Sequence, residues 1–590
     1  MKHITRLFIL SSLLLAGVSC DYLDKAPGVD VTEDDIFSSR TNVETLLASI
    51  YQKGIHSNLG YGNPDNGDAD GTNPHSGPWT GRCDEAEQCA AWYEANNWNS
   101  ASVTADNTDD RRWDFRWQAI RMIALMLERV DEVPDITPDY ANQLKAECRV
   151  IRALNYFEML KFYGGVPIID HHIDVNEDLM IPRSSVEDVV NFILTDIDES
   201  LPLLPPAQRG ASRGRIDQGA AYALKSKTLL YAASPLFNTD TPYMSLGGDN
   251  DRFLCYGNYD IARWEEAASA ANDCLKWASA NGCHLITDQG SGEDNYRYSW
   301  EQYDNAEIIL AEKAHGSMGK WTWPWSSIAP PNIYAGNAGQ SGITVTLNHV
   351  RKYEDKDGNA VEWNGGDDLQ TKMASLDPRF AASIVGNGGR WNDEFPEVWI
   401  YGNPNSGADC GHDASTCYGG FWLHKLYPSV INNTTVWSYT PNSTLFQLNE
   451  IYLNYAEAMN EAYGPDADPE GYGLTARQAV NIIRSRVDMP DVVASGQDEF
   501  REKVRHERDI ELAFDNHRFW DIRRWMIAEE EGVMQGNMWG IQVSRIEGND
   551  SEYHYEPYVF ETRNWNRRGY LHPFSTAEIN KGYLVQNPGY

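Results

Sequence analysis

The chain has 590 residues, and its 49 basic against 86 acidic side chains give it a formal charge of −37. That balance argues against nucleic acid or anionic lipid as a partner, because a phosphate surface needs a basic footprint. It also disfavours a polyanionic glycan on average, although a local arginine cluster could override the average; the length itself permits a large core and several domains.

Residues 1–19 read as an export signal. Lys2 and Arg6 provide the basic start, and the apolar run that follows is too short to span a bilayer. The run stops at Cys20, and a polar tether covers residues 21–30. Thr41-Asn42-Val43-Glu44 is a capping box, which predicts a helix that turns Val43, Leu46, Leu47 and Ile50 to one side. Residues 58–110 break the pattern with Gly, Asn, Asp and Trp; excursions of that length are more often functional than idle. Asn66-Gly67-Asp68-Ala69-Asp70-Gly71 imitates half of a calcium loop, but Gly77 stands where the bidentate Glu is needed, so an Asx-rich turn is the safer reading.

Helices resume at Trp113. The amphipathic run Ala146 to Phe157 continues to Tyr163 and is stopped by Gly164-Gly165-Val166-Pro167. A second capping box at 182–187 opens a helix whose Val186, Val189, Val190, Ile193, Leu194, Ile197 and Leu201 recur at helical spacing. Residues 215–234, 262–281, 446–463 and 475–487 read as further helices, so periodicity alone gives a mostly helical chain with irregular, tetratricopeptide-like pairing.

Between 283 and 444 the composition shifts to Gly, Asn, Pro and Trp. This stretch and the earlier excursion hold Trp79, Trp92, Trp98, Trp300, Trp321, Trp323, Trp325, Trp363, Trp391, Trp399, Trp422 and Trp437. In an oxidising compartment Cys83 with Cys89, and Cys410 with Cys417, are close enough in sequence to staple their loops, whereas Cys148 reads as a core thiol. The cysteine spacing contains no zinc pattern, and no cofactor is expected.

The stretch from Glu507 to Trp525, ERDIELAFDNHRFWDIRRW, interleaves four arginines and five carboxylates with large aromatics. It predicts two short helices meeting at Asn516 and His517, around a partly buried ion-pair network. It resembles the C-terminal signature of the SusD/RagB family of outer-membrane nutrient-binding lipoproteins. So do the ending Gln586-Asn587-Pro588-Gly589-Tyr590, the segment Leu571-His572-Pro573-Phe574 with Glu578-Ile579, and the run from Ala146 to Pro167. His572 and Phe574 depart from the family's usual pattern. Gly17-Val18-Ser19-Cys20 resembles a lipoprotein processing box, which implies lipidation of Cys20; an ordinary secretory signal with an incidental cysteine is the alternative.

The resemblance implies a mainly α fold, a tetratricopeptide-like scaffold of four helix pairs with an irregular, Trp-rich subdomain. It divides the chain into a signal (1–19), lipidated cysteine and tether (20–40), N-terminal helical region (41–282), loop-rich insertion (283–444) and C-terminal region (445–590). It further implies capture of an oligosaccharide without catalysis and delivery to a SusC-like TonB-dependent transporter, at the outer membrane facing outward. Neutral sugars want flat aromatic faces and planar polar groups. Trp321 and Trp323 around Pro324, Trp98, Asn99 and Arg82 in the first excursion, and Tyr296 near Trp300 are therefore the candidate ligand contacts. The alternatives are that these tryptophans form a small core holding the loops down, that the ligand is a peptide, or that two carboxylates make the protein a glycoside hydrolase. Asp84-Glu85 reads as structural, and His171-His172 as a solvated loop.

Overall fold

The helical scaffold follows from where apolar stripes and caps fall along the chain. In the computed structural model, which describes residues 32–56, 79–88, 94–174, 176–313, 343–401, 417–425, 427–430 and 442–590, helices Arg40–Gly54 and Trp113–Arg129 pack together. Pro138–Tyr163, Val186–Ser200, Gln218–Ala233, Ala262–Asn281, Leu448–Tyr463 and Ala476–Arg486 then each pack on the one before. This succession of antiparallel neighbours is the tetratricopeptide-like scaffold. Val43, Leu47 and Ile50 are buried as their spacing predicts, but Ser39 and not Thr41 caps that helix. Ser39 is in extended backbone and accepts the Asn42 N–H, which moves the start to Arg40.

The Pro138 helix ends at Gly164, whose φ of 76° lies in the left-handed region open to glycine. Its charged residues are paired internally: Arg152 forks onto Asp196 with both contacts at 2.8 Å, and Arg215 onto Glu147 at 2.7 and 2.9 Å. The capping box before Val186 is formed by Ser185 and Asp188, so it reaches one residue beyond the 182–187 stretch expected to supply it.

A second core lies outside the helical stack. Strands Ala86–Gln88, Ile343–Val345, Trp422–Leu423 and Ile384–Val385 form an antiparallel sheet in that spatial order, drawn from far-apart parts of the sequence. Against it pack Trp363, Trp391, Phe421, Tyr555 and, from the signature stretch, Ile510, Ala513 and Phe514. A hairpin of Gly536–Ile546 with Asn549–Arg563, and a pair of Ile308–Lys313 with Asn442–Gln447, complete the strands named here.

The signature stretch joins the two cores. Helices Gln497–Glu511 and Arg518–Arg524 flank a turn in which Phe514 and Asn516 take φ of 65° and 69°. Such a conformation is costly for a bulky aromatic, and Glu85 supports it by accepting the Phe514 N–H at 3.1 Å. Arg379 reaches Glu507 at 2.6 Å and Glu511 at 3.0 Å, while Arg486 pairs with Glu307 and Glu511. Arg508 and Arg524 both hold Asp521 at 2.7 Å. Asp84, read as structural, takes Arg518 bidentately and Lys352 at 2.8 Å.

Cys83 and Cys417 are free, buried thiols, so neither loop staple suggested by the spacing is formed. Each instead faces protein oxygens: Cys83 Sγ lies 3.3 Å from the Thr80 carbonyl and Cys417 Sγ 3.6 Å from that of Phe421. Cys148 is a buried free thiol, as its position in the helix pattern predicts. The calcium-like run and Cys20 lie outside the described residues.

Candidate ligand-binding groove

Three of the candidate contacts meet in one place, and that place is interior. Arg82, Trp98 and Asn99 are 1–2% exposed. Arg82 Nε donates to Asp109 at 2.8 Å and its guanidinium lies 4.3 Å from the Trp79 ring, while Trp98 Nε1 donates to the same carboxylate at 3.0 Å. Burial opposes the charge on Asp109, but Arg82, His572 and Trp98 hold its carboxyl well below the usual range. Asn99 donates to Glu87 at 2.9 Å, and Arg563 pairs with that same Glu87. Tyr296 is equally buried in a separate place, where its hydroxyl donates to the Glu511 carbonyl at 2.6 Å and accepts from Lys425 at 2.8 Å. Burial pushes that phenol well above its ordinary pKa. These four side chains are committed to protein partners as they stand, which differs from the open stacking surface expected. Their polar atoms complete the ion-pair network instead. Trp321 and Trp323 lie outside the described residues.

Among the other tryptophans, Trp79, Trp363, Trp391 and Trp422 are buried, and Trp300 and Trp399 are half-buried. The loop-anchoring role weighed against ligand contact is therefore what these buried indoles perform. Lys313 is paired across from Asn442, and Gln88 across from Ile343. Thr344 Oγ1 accepts the Gly419 N–H at 2.8 Å, and Gly419 accepts the Ile541 N–H at 3.0 Å, which pins the stem after Cys417 to both sheet and hairpin.

A polar groove runs along strand Ile308–Lys313, which leads into the segment holding Trp321 and Trp323. It is a cavity of about 490 Å³. Its walls are the 207–217 loop, the end of the Ala262 helix, and Tyr298 with Asp304 and Asn305. Trp277 is anchored there by an Nε1 hydrogen bond to the Pro206 carbonyl at 2.7 Å. Asp217 caps the Gln218 helix by accepting the Ala220 N–H, and burial raises its pKa. Planar amides and guanidiniums beside aromatic edges suit a polyhydroxylated ligand; the lining offers no nucleophile held by a base. Among the described residues no group of His, Cys, Asp and Glu is placed to hold a metal ion. The sequence reading missed this groove, although Arg209-Gly-x-x-Arg213-Gly-Arg215 was a visible signal in so acidic a chain.

His171-His172, read as a solvated loop, does lie at the surface. His171 stands between Asp170 and Glu177, whose hydrogen bonds raise it to about 9.

Comparison with known proteins matches residues 290–590 to the model of the SusD family, and residues 21–230 to a model described as "Starch-binding associating with outer membrane". SusD-like protein P38 of Formosa agariphila is 29% identical over 468 residues, which cover 76% of this chain and 78% of that protein. SusD-like protein P25 of the same organism is 20% identical over 552 residues, 89% and 90% of the two chains. The crystal structure of a SusD-like protein from Bacteroides fragilis superposes with a TM-score of 0.75 at 25% identity, covering 96% of this chain and all of that one.

Proposed function

The chain belongs to the SusD family, and from that premise we propose that it is a glycan-binding lipoprotein of the outer membrane. It captures an oligosaccharide at the cell exterior and passes it to a TonB-dependent transporter, performing no bond chemistry. Cys20 carries the lipid anchor. The observation that carries this reading is the pair of family matches spanning both halves of the chain, one of them described as starch-binding and outer-membrane-associated. Two features of the structure support it: the polar groove beside Ile308–Lys313, and the paired strand ends from which the Trp-rich segments leave. Trp321 and Trp323 are the stacking residues of this reading.

The test is native affinity electrophoresis of the chain lacking residues 1–20 through gels carrying a panel of polysaccharides, with a parallel assay for released reducing ends. Retardation without release, abolished by Trp321→Ala with Trp323→Ala, is the expected result. Release of reducing ends would make the protein a hydrolase, and unimpeded migration in every gel would remove the glycan reading.

A further inference from the structure

The loop Arg209-Gly210-Ala211-Ser212-Arg213-Gly214-Arg215 gathers three guanidiniums in a chain whose net charge is −37. Gly210 and Gly214 adopt φ of 60° and 90°, so the loop turns twice and all three arginines line the same cavity of about 490 Å³.

They are not equally committed. Arg215 is fixed by its fork onto the buried Glu147. Arg213 meets Asp304 at 3.0 Å, but with side chains 41% and 44% exposed the pair stands in water, where an ion pair is readily exchanged. Arg209 donates to the Asn281 carbonyl, and among the described residues no carboxylate comes within ion-pair distance of it. The other acids of the cavity are hydrogen-bonded elsewhere: Asp217, which feels the charge of Arg209 without reaching ion-pair distance, accepts the backbone N–H groups of Gln208 at 3.0 Å and Ala220 at 3.1 Å, and Asp288 accepts from Gln289. A protein with so large an excess of carboxylates has, among the described residues, left one guanidinium outside ion-pair distance of any carboxylate and another loosely held, both lining one groove.

We propose that this groove binds a sugar residue bearing an anionic substituent, a carboxylate or a sulfate ester, with Arg209 and Arg213 as the anion-binding pair. The proposal rests on the glycan-capture reading and names the class of glycan. A guanidinium presents a planar fork of donors that fits either oxyanion, and the entering anion replaces Asp304 at Arg213. Gln208, Asn281 and Gln289 are placed to bridge ring hydroxyls, and Tyr298 supplies an aromatic edge. The net negative field of the protein opposes such a ligand at long range, so the preference arises at the groove itself.

Isothermal titration of the mature chain provides the test. The probes are oligogalacturonate and its carboxyl-reduced form, and a sulfated galactan oligosaccharide and its desulfated form. One anionic probe is expected to bind roughly tenfold or more tightly than its neutral counterpart, with the difference shrinking as salt is raised. Whichever pair shows the preference identifies the substituent. Arg209→Gln with Arg213→Gln abolishes the preference, whereas Asp304→Ala, which frees Arg213, strengthens the preference and guards against a misfolded double variant. Equal affinity for charged and neutral forms, or a preference untouched by these substitutions, overturns the proposal while glycan capture stands. If the neutral probes and every polysaccharide gel also fail to bind, the capture reading falls as well.

Discussion

Arginine does two different things in this molecule. In and around the signature stretch, Arg379, Arg486, Arg508, Arg518 and Arg524 are buried and each faces carboxylates at hydrogen-bond distance. In the groove, Arg209 donates to a backbone carbonyl and Arg213 shares an exposed pair with Asp304. A buried guanidinium paired with carboxylates holds the fold together; one left exposed in a cavity has donors to offer a ligand. Tryptophan divides the same way: Trp98, Trp391 and Trp422 are wholly enclosed and act as pillars, and enclosed indoles have no face left for a sugar.

The contrast breaks most visibly if a saturated network is opened. Glu511→Ala takes one acceptor each from Arg379, Arg486 and Asn449 and is expected to cost about 3–5 kcal/mol in chemical denaturation. Trp391→Ala, emptying a site where the indole packs 4.6 Å from His424 and 5.1 Å from Tyr427, is expected to cost about 3–4 kcal/mol without changing the stacking residues.

Titration sharpens the comparison in both directions. Glu507 is buried, but Arg379 and Arg484 bring it down to about 2 from 4.5. Its pairing therefore stabilises the fold fully above pH 4.5, and that contribution drains away as pH falls toward 2. Burial pushes Glu85 the other way, up to about 7, so it favours the fold while protonated and costs stability as pH rises from 4.5 through 7. Glu85→Gln, which keeps a neutral side chain beside Thr80 and Phe514, is expected to raise the melting temperature at pH 8 by the equivalent of at most about 3 kcal/mol and to change little at pH 5. A gain at pH 5 as large as at pH 8 would contradict the buried-acid account.

Smaller effects are expected at the groove and at the thiols. Arg209→Gln should shift stability by no more than about 0.5 kcal/mol, because the residue is exposed and holds no ion pair among the described residues. Reducing agent should leave the thermal midpoint of the mature chain unchanged, and a non-reducing peptide map should recover Cys83 and Cys417 as alkylated thiols.

The scaffold was legible because each helix carries its own signal. The stripe from Val186 to Leu201, Gly164 after Tyr163 and the Thr475 cap before Ala476 are local features that tertiary packing had no reason to override. The four-stranded sheet was not legible: its strands are two or three residues long and come from positions 86, 343, 384 and 422, so no period forms within any of them. Burial of Arg82, Asn99 and Tyr296 was hidden for a related reason. A polar residue in a loop looks like a surface residue until its partner, Asp109, Glu87 or Glu511, is brought to it from elsewhere in the chain. The arginine groove escaped notice because a net charge of −37 averages over a loop that opposes it.

The measurement that bears most directly on the central claim is a crystal structure of the mature chain with a retained oligosaccharide bound. The account predicts sugar density along Ile308–Lys313 and the 209–213 loop, with Arg82, Trp98 and Asn99 still enclosed by Asp109 and Glu87. Density seated on Trp98 and Arg82 after the Asp109 contacts have opened, or remote from both places, would contradict it.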